Sequence, residues 1–335
     1  MAGGWLSDRF GALRMVAVAD ALRFVAMLSV GVAFASDHAN LLVLAPLFAV
    51  VGFGSGLFYP ANGSVTPVIA SGELMRANRL LSLAERSSGL IGPPLAAAGV
   101  VLVPIALLFV INGLTYLASI AAAAWLAFRL GSQGLGHPSS RRSLDLRQVV
   151  GNDRVRALLV LSLLTSGICN ALLAVGIPVY VSAHGRQVVI LSSLLVAYGV
   201  GAVAGTTLSN QRRFLRPEIV PGLMGLVALL FGTLVLIPYP TALIVLFLIG
   251  VAWGAETVLY RTLIQVSVNP SLLGRVIALS ALCSMGGAAM WQAVAGETAA
   301  NYGPPALLTG LPAIAFASAL AVLIWVRRMQ VGPVD

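Results

Sequence analysis

Lysine is absent from this 335-residue chain, and charged residues of every kind make up only 9% of it. The missing lysine excludes the machines that depend on it. A Walker A loop needs a Lys on the nucleotide phosphates, and a pyridoxal enzyme needs one for its Schiff base. Cysteine is almost as scarce. Cys169 and Cys283 both sit in apolar runs, which leaves no disulfide framework and no metal-ligand spacing. His38, His137 and His184 are isolated from one another and fall between apolar runs, as solvated loop residues do. Neither Gly-x-Ser-x-Gly nor His-Glu-x-x-His occurs. These absences argue against an enzyme and lead us to expect no cofactor and no metal.

What the chain has instead is hydrophobicity: 59% of its residues are hydrophobic and its mean hydropathy is +0.97. A soluble domain carries about 25% charged residues, so this one lacks the means to cover a water-facing surface. Apolar stretches long enough to cross a bilayer recur along the chain, at roughly 13–34, 41–62, 79–102, 105–128, 157–181, 188–208, 219–238, 241–262, 275–296 and 305–327. They are continuous runs and not the alternating short segments of a membrane barrel, so helices are expected. The fold class is an all-α polytopic membrane protein, with the lipid bilayer as its surroundings.

The net charge of +9 comes from twenty arginines against eleven acids. With spans alternating in direction, one set of connecting loops holds nearly all the loop arginines and the other holds Arg186 alone. That asymmetry is the positive-inside pattern and not a nucleic-acid surface. It puts the Arg-rich loops and the C-terminus in the cytoplasm of a multi-pass protein of the cell membrane.

The chain also repeats itself. A shift of 198 positions lays the segment from Phe48 to Leu57 on that from Leu246 to Ala255, matching Gly52 with Gly250 and Gly56 with Gly254. The same shift pairs Ser82 with Ser280 and Gly89 with Gly287. Parallel repeats of this kind build some transporter folds. They divide the chain into a first bundle at 1–130, a cytoplasmic linker at 131–155 rich in Gly, Ser, Pro and Arg, and a second bundle at 156–335.

Gly4, Asp8, Arg9, Gly11 and Arg14 fit the pattern G-x-x-x-D-R-x-G-x-x-R. This resembles the loop between the second and third transmembrane helices of major facilitator superfamily transporters. Ala19-Asp20-x-x-Arg23, Glu73-Leu74-x-x-Ala77-Asn78-x-Leu80 and Ile111-Asn112-Gly113 resemble the exporter branch that includes enterobactin exporters and macrolide efflux pumps. Ser88, Gly89, Gly92 and Pro93 resemble the fifth-helix motif of drug/proton antiporters, with Ser88 in place of its first Gly and Ala96-Ala97 in place of its last pair. Close helix packing accounts for those small residues equally well. The resemblance implies two pseudo-symmetric bundles of six helices. Only four spans precede the linker, and the loop motif stands at the very start. Two further helices, ~20 residues each, are therefore expected ahead of Met1.

For Asp8 and Arg9 the resemblance implies a gating latch at the cytoplasmic end, with Gly4 and Gly11 allowing close backbone approach; Arg14 fits a role in topology. Other candidates come from charge placed in apolar runs. Asp20 and Arg23, at i,i+3, share a helix face, either as a structural ion pair or as a coupling element. Glu256 lies in the tenth helix of the full count, five residues before Arg261. It reads either as a proton-coupling or cation-contacting acid, or as half of a buried pair with Arg261 or another helix. Its repeat counterpart is Phe58. Glu85 and Arg86 read as a pair near the cytoplasmic interface.

Phe58, Tyr59, Asn62, Asn170 and Trp253 mix aromatic faces with amides on helices that the resemblance places by the central cavity, which suits an amphipathic substrate. Gly167, Gly176 and Pro178 weaken the seventh helix. The resulting expectation is a monomeric secondary transporter that exports a small amphipathic compound by proton antiport. Its partners are the small-molecule substrate and protons, and it has no cofactor. An inactive truncated fragment and a polytopic membrane enzyme are the alternatives.

Overall fold

The structure is a computed structural model, and it describes residues 11–70, 72–134, 151–182, 187–209, 216–268 and 272–331. Every regular element among them is helical. In chain order these are α1 (Ala12–Ala35), α2 (Leu41–Ala70), α3 (Leu74–Leu102), α4 (Ile105–Gly134), α5 (Asp153–Ser182), α6 (Gln187–Leu208), α7 (Ile219–Thr233), α8 (Tyr239–Ser267) and α9 (Leu273–Val331). Eight helical stretches among the described residues are long and apolar enough to cross a membrane. α3 is equally long but falls outside that set, because it carries Arg76, Arg79, Glu85 and Arg86. α9 is two helices, since Gly303 breaks it with φ 80° and ψ 175° and Pro304 and Pro305 follow. The proline rings cannot carry the helix through that point, so 275–296 and 305–327 are separate spans.

α5 winds irregularly. Wide π-type turns at Ser162–Ser166 and Leu172–Gly176 flank a short α segment that holds Asn170. Pro178 has no amide proton to give the carbonyl one turn earlier, and the second wide turn lies just before it. At its start, Asn152 caps the helix by accepting from the Arg154 and Val155 amides.

The helices form two compact units. The first comprises Met1–Gly72, Ile91–Leu144 and Asn269–Leu279; the second comprises Glu73–Leu90, Asp145–Val268 and Ser280–Asp335. In the first, α1 packs against α2 and α4. Leu13, Val16 and Ala19 meet Leu57, Ala61, Val65 and Ala123 in its core.

In the second unit the tightest contact is between α6 and α8. A Cβ added to Gly205 would lie 1.9 Å from the Val251 carbonyl oxygen, and one on Gly254 would lie 2.1 Å from that of Ala202. Gly201 and Gly250 are equally confined. The helices therefore cross backbone to backbone through two Gly-x-x-x-Gly faces, as helices in a bilayer do when packing replaces the hydrophobic effect as the driving force. The repeat counterparts of Gly250 and Gly254 differ: Gly52 and Gly56 on α2 have no described atom within 4 Å of an added Cβ.

Candidate functional site

Among the described residues, each unit holds a buried cluster of charged and polar side chains. In the first, Asp20 and Arg23 sit one turn apart on α1 and are buried. Arg23 Nη1 lies 3.3 Å from Asp20 Oδ1, and Ser119 Oγ of α4 donates to Asp20 Oδ2 at 2.5 Å. Arg23 Nη2 reaches the Gly54 carbonyl of α2 at 3.4 Å. Its guanidinium lies 4.3 Å from the centre of the Phe58 ring and 5.4 Å from that of Tyr116. A Cβ at Gly54 would come within 2.8 Å of Arg23 Cγ, so a glycine is needed where the arginine passes. A guanidinium in an apolar span thus has a carboxylate, a carbonyl and two aromatic faces around it.

In the second unit, Arg86 of α3 donates to Tyr198 Oη of α6 at 3.0 Å and to Thr257 Oγ1 of α8 at 2.8 Å. Glu256 adjoins Thr257 and is buried, with 4% exposure. The charges acting on it are Arg86 first and then Arg261. The four ion pairs among the described residues are Asp20–Arg23, Glu73–Arg76, Asp153–Arg156 and Glu85–Arg261, and Glu256 is in none of them. Trp253, one turn before Glu256, sets its ring edge against Tyr198 at 5.9 Å.

Two sequence expectations are corrected here. Arg261 does not pair with Glu256; it reaches Glu85 at 2.7 Å, from α8 to α3. Five residues along a helix place two side chains about 140° apart, so Glu256 and Arg261 look in different directions. Glu85 and Arg86 do not pair with each other either. Neighbours on a helix diverge by about 100°, which sends one to Arg261 and the other to Tyr198 and Thr257.

Of the remaining predicted residues, Gly4, Asp8 and Arg9 lie outside the described residues. Gly11 precedes α1 with φ 90°, and Arg14 is exposed. Phe58 and Tyr59 meet edge to face at 6.0 Å, with Tyr59 exposed and Asn62 half-buried one turn on. Asn170 turns its amide back to the Ser166 carbonyl of its own helix. Gly89 and Gly92 have no described atom within 4 Å of an added Cβ, and Pro93 lies in α3 without interrupting it.

Sequence reasoning missed Arg86, Tyr198, Thr257 and Ser119 as members of these clusters. A signal existed for the α3–α8 contact. Asn78, Ser82 and Arg86 recur every four residues on α3, as do Thr257, Arg261 and Gln265 on α8, so each set forms a polar stripe on one face of an apolar helix.

Residues 1–292 match the family described as Major Facilitator Superfamily. The chain belongs to that superfamily. It is therefore a transporter by family, an all-α polytopic membrane protein with the superfamily fold. Solved structures agree on the fold. A bacterial homologue of the iron transporter ferroportin, in an outward-facing state, superposes with TM-score 0.73 at 16% identity, covering 98% of this chain and 86% of its own. The E. coli fucose:proton symporter gives 0.68 at 14% identity, with 98% and 86% coverage. The human organic anion transporter MFSD10 gives 0.74 at 13% identity, with 97% and 79% coverage. No curated protein matches.

Proposed function

We propose that this major facilitator superfamily protein is a proton-coupled exporter of a small amphipathic compound, resident in the cell membrane with its Arg-rich loops and C-terminus in the cytoplasm. The observation that carries the coupling is Glu256. It is an acid inside an apolar helix, 4% exposed and in none of the ion pairs among the described residues, with Arg86 and Arg261 acting on it. Intramembrane acids of this kind are costly to keep and serve as proton carriers in pumps and transporters. The Asp20–Arg23 pair, enclosed by α2 and α4, acts as the rigid centre of the first bundle. The opening loop with Asp8 and Arg9 acts as the cytoplasmic latch of alternating access. The halves read from the repeat, 1–130 and 156–335, are joined by the linker at 131–155, and the chain works as a monomer.

Export is preferred over import on the resemblance of Ala19-Asp20-x-x-Arg23 and Glu73-Leu74-x-x-Ala77-Asn78-x-Leu80 to the enterobactin-exporter and macrolide-efflux branch. Phe58, Tyr59, Asn62, Asn170 and Trp253 are the substrate-contact candidates. The test is efflux of a panel of amphipathic dyes and macrolides from a pump-deficient host. Wild-type protein lowers accumulation in a pH-gradient-dependent way, and Glu256→Gln at equal abundance loses that dependence. Wild-type pH dependence in the mutant makes Glu256 structural.

A further inference from the structure

In the second unit, α3 meets α8 through hydrogen bonds and an ion pair between their polar side chains. Arg86 meets Thr257, Glu85 meets Arg261, and Asn78 Nδ2 donates to Thr262 Oγ1 at 3.0 Å and to Gln265 Oε1 at 2.5 Å. These rungs show that the two helices run antiparallel. They lead from Glu256 towards the end of α8 at Ser267 and the start of α3 at Leu74, where Arg76 and Arg79 lie.

Between those rungs, three polar atoms are buried without a hydrogen-bond partner: Asn78 Oδ1, Ser82 Oγ and Arg261 Nη1. They are half of the six such side-chain atoms among the described residues. Asn78 and Ser82 are both fully buried, at 0% exposure. Each orphan costs about 1–3 kcal/mol, so three along one contact call for a common partner. Water is the partner that fits a polar seam between two helices. A bound water needs two or more polar neighbours, and Ser82 lies one helical turn, about 6 Å, from both Asn78 and Arg86. A single bridging water spans about 5.5 Å through two hydrogen bonds.

From these contacts we propose that the α3–α8 seam holds a file of water molecules on Asn78 Oδ1, Ser82 Oγ and Arg261 Nη1, which conducts protons between Glu256 and the Arg-rich face of the membrane. The path is about 13 Å long, from the helical rise between Glu256 and Gln265. A proton arriving at the Gln265 end is taken up by the first water, each water passes one on, and the Glu256 carboxylate accepts the last. Arginine in such a file would repel protons, but the Glu85 carboxylate at 2.7 Å neutralises Arg261. The ionisable groups coupled electrostatically to Glu256 are Arg86 from α3, Cys169 from α5, Tyr198 from α6, and Tyr260 and Arg261 from α8. The inference rests on the reading of Glu256 as the coupling acid.

Protons themselves are the probe. The purified full chain in detergent is subjected to a laser-triggered pH jump across neutrality, with pyranine in weakly buffered solution reporting proton uptake. Glu256→Gln should abolish the uptake of one proton per chain. Ser82→Ala removes a single atom and leaves the Asn78 bonds in place. It should keep the amplitude and slow uptake about tenfold, the effect of one lost hydrogen bond of roughly 1.4 kcal/mol on the barrier. Ser82→Thr, which restores the hydroxyl, should recover the rate, and Asn78→Leu should slow it again. Unchanged rates in Ser82→Ala and Asn78→Leu, with Glu256→Gln silent, overturn the water file and leave Glu256 standing. Uptake that persists in Glu256→Gln overturns the reading of Glu256 itself.

Discussion

Gly254→Ala should destabilise the second unit, and the size of the effect follows from the α6–α8 crossing. The new methyl carbon would stand 2.1 Å from the Ala202 carbonyl oxygen and 2.9 Å from its carbon, both backbone atoms that no rotamer change can move. Restoring ordinary carbon–oxygen contact requires the helices to part by about 1 Å. A gap of 0.5–1 Å forfeits roughly a quarter to a half of each dispersion contact across the interface. Because Gly201, Gly205 and Gly250 share the crossing, the loss is spread over all of it. The contact from Thr206 Oγ1 to the Gly254 carbonyl, 3.4 Å, goes too. Overpacking of this kind costs about 1–3 kcal/mol, and a backbone clash belongs at the upper end. The better helix propensity of alanine returns up to about 1 kcal/mol, leaving a net loss of about 2 kcal/mol.

Gly56→Ala is the matched control, since its repeat-related site has no described atom within 4 Å and should gain the propensity alone. Thermal unfolding followed with a thiol-reactive dye suits the protein, because Cys169 is buried until the unit opens. The Gly254 variant should melt several degrees below the Gly56 variant, given about 2–4 °C per kcal/mol for chains of moderate size. Equal melting temperatures would show that the crossing is not under steric tension and would refute the packing argument.

Asp20→Asn should cost about 3 kcal/mol by leaving Arg23 as a buried cation beside Phe58 and Tyr116. The double variant Asp20→Leu/Arg23→Met should recover most of that stability. If the double variant is stable but transport-dead, the pair does more than hold α1 in place; full transport assigns it to structure. Asp8→Asn should impair transport while membrane insertion stays intact, because a latch needs the carboxylate and topology does not; normal efflux at equal abundance removes Asp8 from the mechanism. Tyr198→Phe should weaken the hold on Arg86 by roughly 0.6–2 kcal/mol, read as a lower melting temperature that Thr257→Ala does not add to fully, since both residues share one guanidinium.

The membrane class and the helical spans were legible in the sequence because they rest on local quantities. A run of about 20 apolar residues must be helical in lipid wherever it occurs, since only the helix satisfies its own backbone there. The wide turns around Asn170 were foreshadowed by Gly167, Gly176 and Pro178, and the Gly303 break falls between two spans that are already separate in the sequence. The repeat is read from matched glycines at one constant offset, which need no coordinates. The buried charged residues of the candidate clusters were legible in part. Glu256, Asp20 and Arg23 stood out because a charge in an apolar run is expensive wherever its partner lies.

Their partners were another matter. Glu85 finds Arg261 176 positions away and Arg86 finds Thr257 171 positions away, choices fixed by the rotation of α3 against α8 and not by spacing along either helix. The same holds for the Gly-x-x-x-Gly face of Gly250 and Gly254 and its repeat counterpart, Gly52 and Gly56. Their sequences match across the repeat, yet one is pressed against α6 and the other has no described neighbour. A glycine permits close approach, but only a second helix, set at the right depth and angle, makes use of that permission.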